Sequence, residues 1–84
     1  MAASRWRETV SPDTAPSALA ITAALRHWDE FALHVRAAVN NGLTDAEIAE
    51  VLQHVAVYAG VPAANHGFAV ARPILEELRG PADR

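Results

Sequence analysis

The residues between positions 40 and 47 constrain the fold of this chain more than any other local feature. Asn40-Asn41-Gly42 ends an apolar-periodic segment, and Asn and Gly tolerate the left-handed conformation of a helix C-cap. Thr44 follows at once, with Glu47 three residues later, which predicts a capping box that satisfies the otherwise unpaired amides of a helix start. Two helices are therefore expected to meet at a short turn here.

Two helices are predicted before this turn. Residues 1–13 are polar and predict a flexible N-terminal arm, and the helix formers of residues 17–26 predict a first helix that starts between Thr14 and Ser17. A second helical pattern begins at Trp28. Whether the chain breaks or only kinks where these two helices meet stays open.

Two more helices are predicted after the turn. Gly60 ends the third helix, and Pro62 suits the first turn of a fourth, where a missing N–H is tolerated. Gly80-Pro81 ends the fourth helix and is followed by a polar tail, residues 81–84. Pro73 lies inside the fourth helix, and because an interior proline removes one hydrogen bond, a kink is predicted near it.

These patterns predict an all-α fold in which residues 14–80 form one small helical domain. Each of the last three helices has apolar residues at helical spacing on one face. The predicted buried faces are Phe31, Val35, Ala38 and Val39; Ile48, Val51, Leu52, Val55 and Ala59; and Val61, Ala64, Phe68, Ala71, Leu75 and Leu78.

Composition narrows the class of protein. Half of the 84 residues are hydrophobic and a fifth are charged, which is too apolar for a disordered chain, and so short a chain is expected to need partner subunits. The net charge of −3 leaves no basic stripe for nucleic acid. No apolar run approaches the roughly 20 residues that span a bilayer, and the start does not resemble a secretory signal, so no membrane association and a cytoplasmic location are expected.

One ordered set of residues resembles a known family. Glu30, His34, Arg36, residues 39–42 and residues 56–65 follow the pattern ELxLHxRxALNNG and then AVYxGxPAAN. The segment is similar to the carboxymuconolactone decarboxylase family, especially its γ-carboxymuconolactone branch. The resemblance implies an alkylhydroperoxidase D-like helical fold, self-association into trimers or hexamers, and cofactor-independent decarboxylation of a carboxylated lactone to an enol-lactone.

The chain contains no cysteine, which excludes disulfides, thiolate metal sites and thiol redox chemistry. The alkylhydroperoxidase D relatives of this family carry a CxxCxxxH motif on the corresponding helix. Aligning its histidine to His34 puts His27 and Glu30 at the positions of the two cysteines. A peroxidase of that type is therefore not expected.

Glu30 and His34 are the candidate catalytic residues. They are neighbours four residues apart on one helix shoulder, and a carboxylate beside an imidazole can raise its pKa and give a proton donor usable near neutrality. The family's reaction would need such a donor to protonate carbon, and His34 held by Glu30 is predicted to supply it. Spacing alone favours an exposed helix pair worth a few tenths of a kcal/mol, and only the family resemblance favours the catalytic role.

Five further residues are candidates for substrate binding. His54 and Tyr58 form a second pair four residues apart, whose alternative role is packing at a helix or subunit interface, and His66 is expected on the surface. Arg72 could hold a carboxylate with two hydrogen bonds, although a solvated side chain is the ordinary alternative for an arginine. The full set is Arg36, His54, Tyr58, Asn65 and Arg72.

A metal site is not expected. His27, Glu30 and His34 are of ligand type, but His27 and His34 lie about 10.5 Å apart along a helix axis, too far to share one ion easily. No cofactor is implied by the resemblance either.

The chain also departs from the family pattern. Family members carry an arginine-containing DRRTRSL-like stretch before the first helix, where this chain has residues 11–17. This difference is consistent with a short paralogue, with a fragment, or with a subunit whose site includes residues of another chain. Two functions therefore stay open: a small decarboxylase with pockets at subunit contacts, and a non-catalytic helical interaction protein that lost the reaction.

Overall fold

A computed structural model describes residues 14–80, which form four α-helices and contain no β-strand. The helices are α1 (Ala15–Ala24), α2 (Trp28–Asn40), α3 (Asp45–Ala59) and α4 (Val61–Arg79). The predicted all-α class and the four predicted helices are confirmed. The predicted arm, residues 1–13, and tail, residues 81–84, lie outside the described residues. None of these four helices is both long and apolar enough to cross a membrane.

The turn after α2 closes as the sequence predicts. Gly42 has a φ of 97°, a left-handed conformation that glycine adopts without steric cost. The N–H of Gly42 donates to the carbonyl of Val39 at 3.1 Å, and the N–H of Leu43 donates to the carbonyl of Ala38 at 3.0 Å. This pair of bonds is the Schellman arrangement, and it turns the buried Leu43 back onto the core.

The first turn of α3 contains the predicted capping box. The N–H of Glu47 donates to Oγ1 of Thr44 at 3.1 Å, and the N–H of Thr44 donates to Oε1 of Glu47 at 2.8 Å. Two amides that helix geometry leaves without partners are thereby satisfied. Hydrogen bonds between near neighbours in sequence therefore mark the start of α3.

The junction between α1 and α2 is a break rather than a kink. Arg26 has a φ of 63°, and its N–H donates to the carbonyl of Ala23 while the N–H of His27 donates to that of Thr22. The same Schellman arrangement thus ends α1, with an arginine where glycine is usual. A left-handed residue with a Cβ costs about 1 kcal/mol, which the surrounding bonds and packing offset.

The core lies where the four helices meet. The buried side chains of α2 and α3 agree with the predicted faces, and Val39, Val51 and Ala59 are partly buried against them. Leu19 of α1 is also fully buried. The buried residues of α2 and α3 are Phe31, Val35, Ala38, Ile48, Leu52 and Val55.

The predicted buried face of α4 is wrong at three positions. Ala64 and Ala71 are buried and Leu75 is partly buried against the core, as predicted, but Phe68 is 37% exposed, and Val61 and Leu78 are also exposed. The residues that replace them in the interior are Ala63, Gly67 and Ile74.

Close packing at Gly67 explains the rotation of α4. A Cβ at this position would lie 2.7 Å from Cδ2 of Leu52 and 3.6 Å from Cζ of Phe31. Because small side chains let helices approach closely, α4 presents Ala63, Ala64, Gly67 and Ala71 to the core and turns Phe68 outward. The helix is not interrupted at Pro73, which is exposed, and the kink there remains a prediction.

Candidate functional site

Glu30 and His34 lie one turn apart on α2, and the structure brings their charges into interaction. Glu30 is exposed in the first turn, where a carboxylate also stabilises the helix dipole. His34 is partly buried, so only one member of the pair is withdrawn from solvent. The pair therefore combines a sheltered imidazole with a solvated carboxylate.

Burial decides the protonation of His34. Loss of solvation lowers the pKa of His34 below its ordinary value of 6.5, and the nearby charge of Glu30 raises it by a smaller amount. The predicted direction of the Glu30 effect is right, but the predicted net increase in the pKa is wrong. The imidazole is therefore mainly neutral at pH 7, and an added negative charge nearby would favour its protonated form.

Arg36 is paired with α4 and lies away from His34. Its Nη2 donates to Oε1 of Glu77 at 2.8 Å, and its Nη1 donates to Oε2 at 3.4 Å. This contact lowers the pKa of Glu77 through hydrogen bonding and charge. Residues two apart point about 200° from one another around a helix, so Arg36 and His34 lie on different sides of α2.

His54 and Tyr58 lie on the exposed side of α3. Nδ1 of His54 is 2.9 Å from the carbonyl of Glu50 in the preceding turn, which favours the tautomer with the proton on Nδ1. His54 lines a shallow groove of about 430 Å³ between α1 and α3 together with Glu47 and Glu50. Tyr58 is 87% exposed and does not line this groove.

Asn65 and Arg72 also stand apart from the catalytic pair. Both are exposed on α4, and Arg72 lines a cleft of about 630 Å³ between α3 and α4. Neither Glu30 nor His34 lines that cleft. Within a single chain, the structure therefore distributes the seven candidate residues over several faces and does not gather them in one pocket.

Sequence reasoning missed a contact that joins α2 to α4. The rings of Trp28 and His66 stack with their centroids 4.3 Å apart and their planes 6° apart. Trp28 also contacts Phe31 edge to face, with the ring centroids 5.4 Å apart, and it is partly buried against the core that contains Phe31. His66 is exposed as predicted, but its packing against a residue 38 positions earlier has no local signal in the sequence.

No metal-binding group is found among residues 14–80. Nowhere in this part of the chain do three or more His, Cys, Asp or Glu side chains lie together so that they could hold an ion. Of the two other ligand-type residues considered together with His34, Glu30 is exposed and His27 precedes α2.

Comparison with known proteins places this chain in a family. Residues 17–73 match the model of the carboxymuconolactone decarboxylase family. The chain is 38% identical to the 4-carboxymuconolactone decarboxylase of Acinetobacter baylyi over 60 residues, 71% of this chain and 45% of that protein. It is 39% identical to the nitrosuccinic acid decarboxylase npaB of Metarhizium robertsii over 51 residues, 61% of this chain and 36% of that protein.

The matched region includes Glu30, His34, Arg36 and the α2–α3 turn, and it ends at Pro73. In both comparisons the chain spans less than half of the length of the curated relative. No solved structure matches the chain.

Proposed function

We propose that this chain, which belongs to the carboxymuconolactone decarboxylase family, is a decarboxylase of a small carboxylated lactone or a related organic acid. The match to two proteins named as decarboxylases supports this class of reaction. The observation that carries the proposal is the Glu30–His34 pair, which lies inside the matched residues and joins a sheltered imidazole to a carboxylate.

The reaction breaks the bond between the carboxyl carbon and the carbon skeleton. The electron pair left behind moves into the conjugated carbonyl system of the lactone, and CO2 leaves. A proton must then be added to carbon, so the site has to supply a donor and to stabilise the transient negative charge. The net change is the replacement of a carboxylate by hydrogen, with one proton consumed.

His34 is assigned the role of proton donor. In the free chain its pKa lies below 6.5, because burial disfavours the cation more than Glu30 favours it. A bound carboxylate brings a second negative charge to the imidazole and raises the protonated fraction. After His34 gives its proton to carbon it becomes neutral, the form that its partly buried position prefers, and Glu30 then favours its reprotonation from solvent.

The test is CO2 release from 4-carboxymuconolactone by the wild-type chain and by the variant His34→Ala. Removal of a general acid is expected to lower the rate about 100-fold or more. The matched control is His27→Ala, which removes an exposed imidazole that makes no side-chain cap to α2. Wild-type turnover by His34→Ala would show that the proton comes from another group.

A pH profile separates the proposed role of Glu30 from a structural one. If His34 must be protonated, kcat/KM falls as the pH rises through the pKa of His34. Glu30→Gln removes the charge that raises this pKa, so the fall is expected at a lower pH in the variant. A profile that keeps its position would contradict the electrostatic role of Glu30.

A second candidate function is a non-catalytic interaction protein. Its support is the exposure of Glu30 and of two large side chains near the end of α3, Val57 at 75% and Tyr58 at 87%. This function predicts concentration-dependent self-association that Val57→Arg abolishes, with no CO2 release at any protein concentration. CO2 release that depends on His34 would exclude it.

A further inference from the structure

We infer that the cleft between α3 and α4 is a binding site for a small monocarboxylic acid with an apolar, preferably aromatic, body. The cleft has a volume of about 630 Å³, within the range of small-molecule sites. It does not involve Glu30 or His34, so this inference does not rest on the proposed decarboxylation.

The walls of the cleft are apolar. Ile48 and Leu52 contribute from α3, and Phe68, Ala71 and Leu75 contribute from α4. Phe68 is turned out of the core by the close packing at Gly67 and leaves part of its ring exposed in the cleft. An aromatic ring stacked on this side chain would remove apolar surface of both partners from water.

The charges in the cleft select a single carboxylate. Arg79 is held by Asp45, with Nε 2.6 Å from Oδ1, and its Nη2 donates to the carbonyl of Leu43 at 2.6 Å. Arg72 also lines the cleft, but within residues 14–80 no carboxylate forms an ion pair with it. Its guanidinium is therefore the group available to an anion, and its planar donors suit both oxygens of a carboxylate.

The same charges disfavour a second anionic group. Glu76 lines the cleft one turn after Arg72, and Asp45 lines it opposite. A dianionic ligand would bring its second charge towards these carboxylates, whereas a monoacid can place its apolar body against Phe68 and its one charge at Arg72. The cleft is therefore suited to a monocarboxylate.

The experiment is a titration of the full chain with benzoate at constant ionic strength, followed through the backbone amide resonances of α3 and α4. Saturable shifts are expected at Phe68, Arg72 and Leu75. Benzamide has the same ring without the charge, and it is expected to bind about tenfold more weakly or worse, since a hydrogen-bonded charge contributes 1.5–3 kcal/mol. Equal affinities for benzoate and benzamide would overturn the inference.

Variants assign the binding to named groups. Arg72→Gln is expected to weaken benzoate binding about tenfold, and Phe68→Ala is expected to weaken it by removing the aromatic wall. Arg26→Gln is the matched control, because Arg26 is also exposed and without an ion pair among the described residues but does not line the cleft. Benzoate binding that Arg72→Gln leaves unchanged would overturn the inference.

Two further results separate this site from other possibilities. His34→Ala should leave benzoate binding unchanged even if it abolishes CO2 release, so failure of the proposed function and failure of this inference are distinguishable. Resonances of the cleft that move with protein concentration, with no response to benzoate, would show that a second copy of the chain covers the cleft and would overturn the inference.

Discussion

The helices α3 and α4 are packed tightly at one part of their contact and stand apart at another. At Gly67 the two helices are so close that a Cβ would lie 2.7 Å from Cδ2 of Leu52. From Phe68 towards Arg79 the same pair of helices borders a cleft of about 630 Å³. One helix pair thus forms both a sealed part of the core and an open, partly charged surface.

The two parts differ in the size of the side chains that α4 places there. α4 approaches its neighbours through Ala63, Ala64 and Gly67, which have little or no side chain. Its next two turns place the larger side chains of Phe68, Arg72 and Leu75 along the cleft that α3 also borders. The Asp45–Arg79 ion pair then bridges the helices across the far end of the cleft.

The largest expected effect comes from filling the tight contact. Gly67→Leu would place a bulky side chain against Leu52 and Phe31, both fully buried, and is expected to destabilise the fold by about 3 kcal/mol. Urea unfolding followed by circular dichroism measures the change. Ala69→Leu is the control, since Ala69 is exposed on the same helix and should shift stability by less than about 0.5 kcal/mol. Equal effects of the two substitutions would show that the helices are not in close contact at Gly67.

A smaller effect is expected from opening the far end of the cleft. Arg79→Met removes both the ion pair with Asp45 and the hydrogen bond to the carbonyl of Leu43, and it should cost about 1 kcal/mol. Part of the loss should persist in high salt, because the bond to the carbonyl is screened less than the ion pair. Arg36→Met is the comparison, since it breaks only the exposed pair with Glu77. The interpretation fails if Arg36→Met is the more destabilising change.

The smallest effect is expected at His34, whose side chain is only partly buried. Its pKa is lower in the folded chain than the ordinary 6.5, so the folded state binds fewer protons than the unfolded state. Stability is therefore expected to fall as the pH drops below about 6.5 and through the lower folded pKa. His34→Gln should remove this part of the pH dependence of urea unfolding. An identical pH dependence in the variant would mean that the imidazole protonates equally well in both states.

The sequence predicted the helix boundaries well because their chemistry is local. The Thr44–Glu47 box and the Gly42 turn involve residues within five positions of one another, and both are present as predicted. The break at Arg26 was left open since no glycine or proline marks it. Its cause is a left-handed arginine, which the sequence pattern does not reveal.

For the candidate site, the sequence predicted which residues lie near one another on one helix, but not how residues of different helices are arranged. Glu30 and His34 interact as their spacing indicates, yet the net pKa of His34 depends on how much of it the other helices bury. Arg36 was a candidate for substrate binding, but a partner 41 residues away in sequence, Glu77, holds it in this structure. Contacts of this range depend on how helices are placed, which helical periodicity does not encode.

The chain by itself determined its family, its helical class and the positions where helices begin and end, because those properties follow from residue order and from bonds between near neighbours. Tertiary structure decided which face of α4 is buried, and with it the exposure of Phe68 and the cleft that contains Arg72. The physical reason is the absence of a side chain at Gly67. A pattern of hydrophobic spacing does not assign a glycine to a buried face, whereas close packing between the helices requires a glycine at this position.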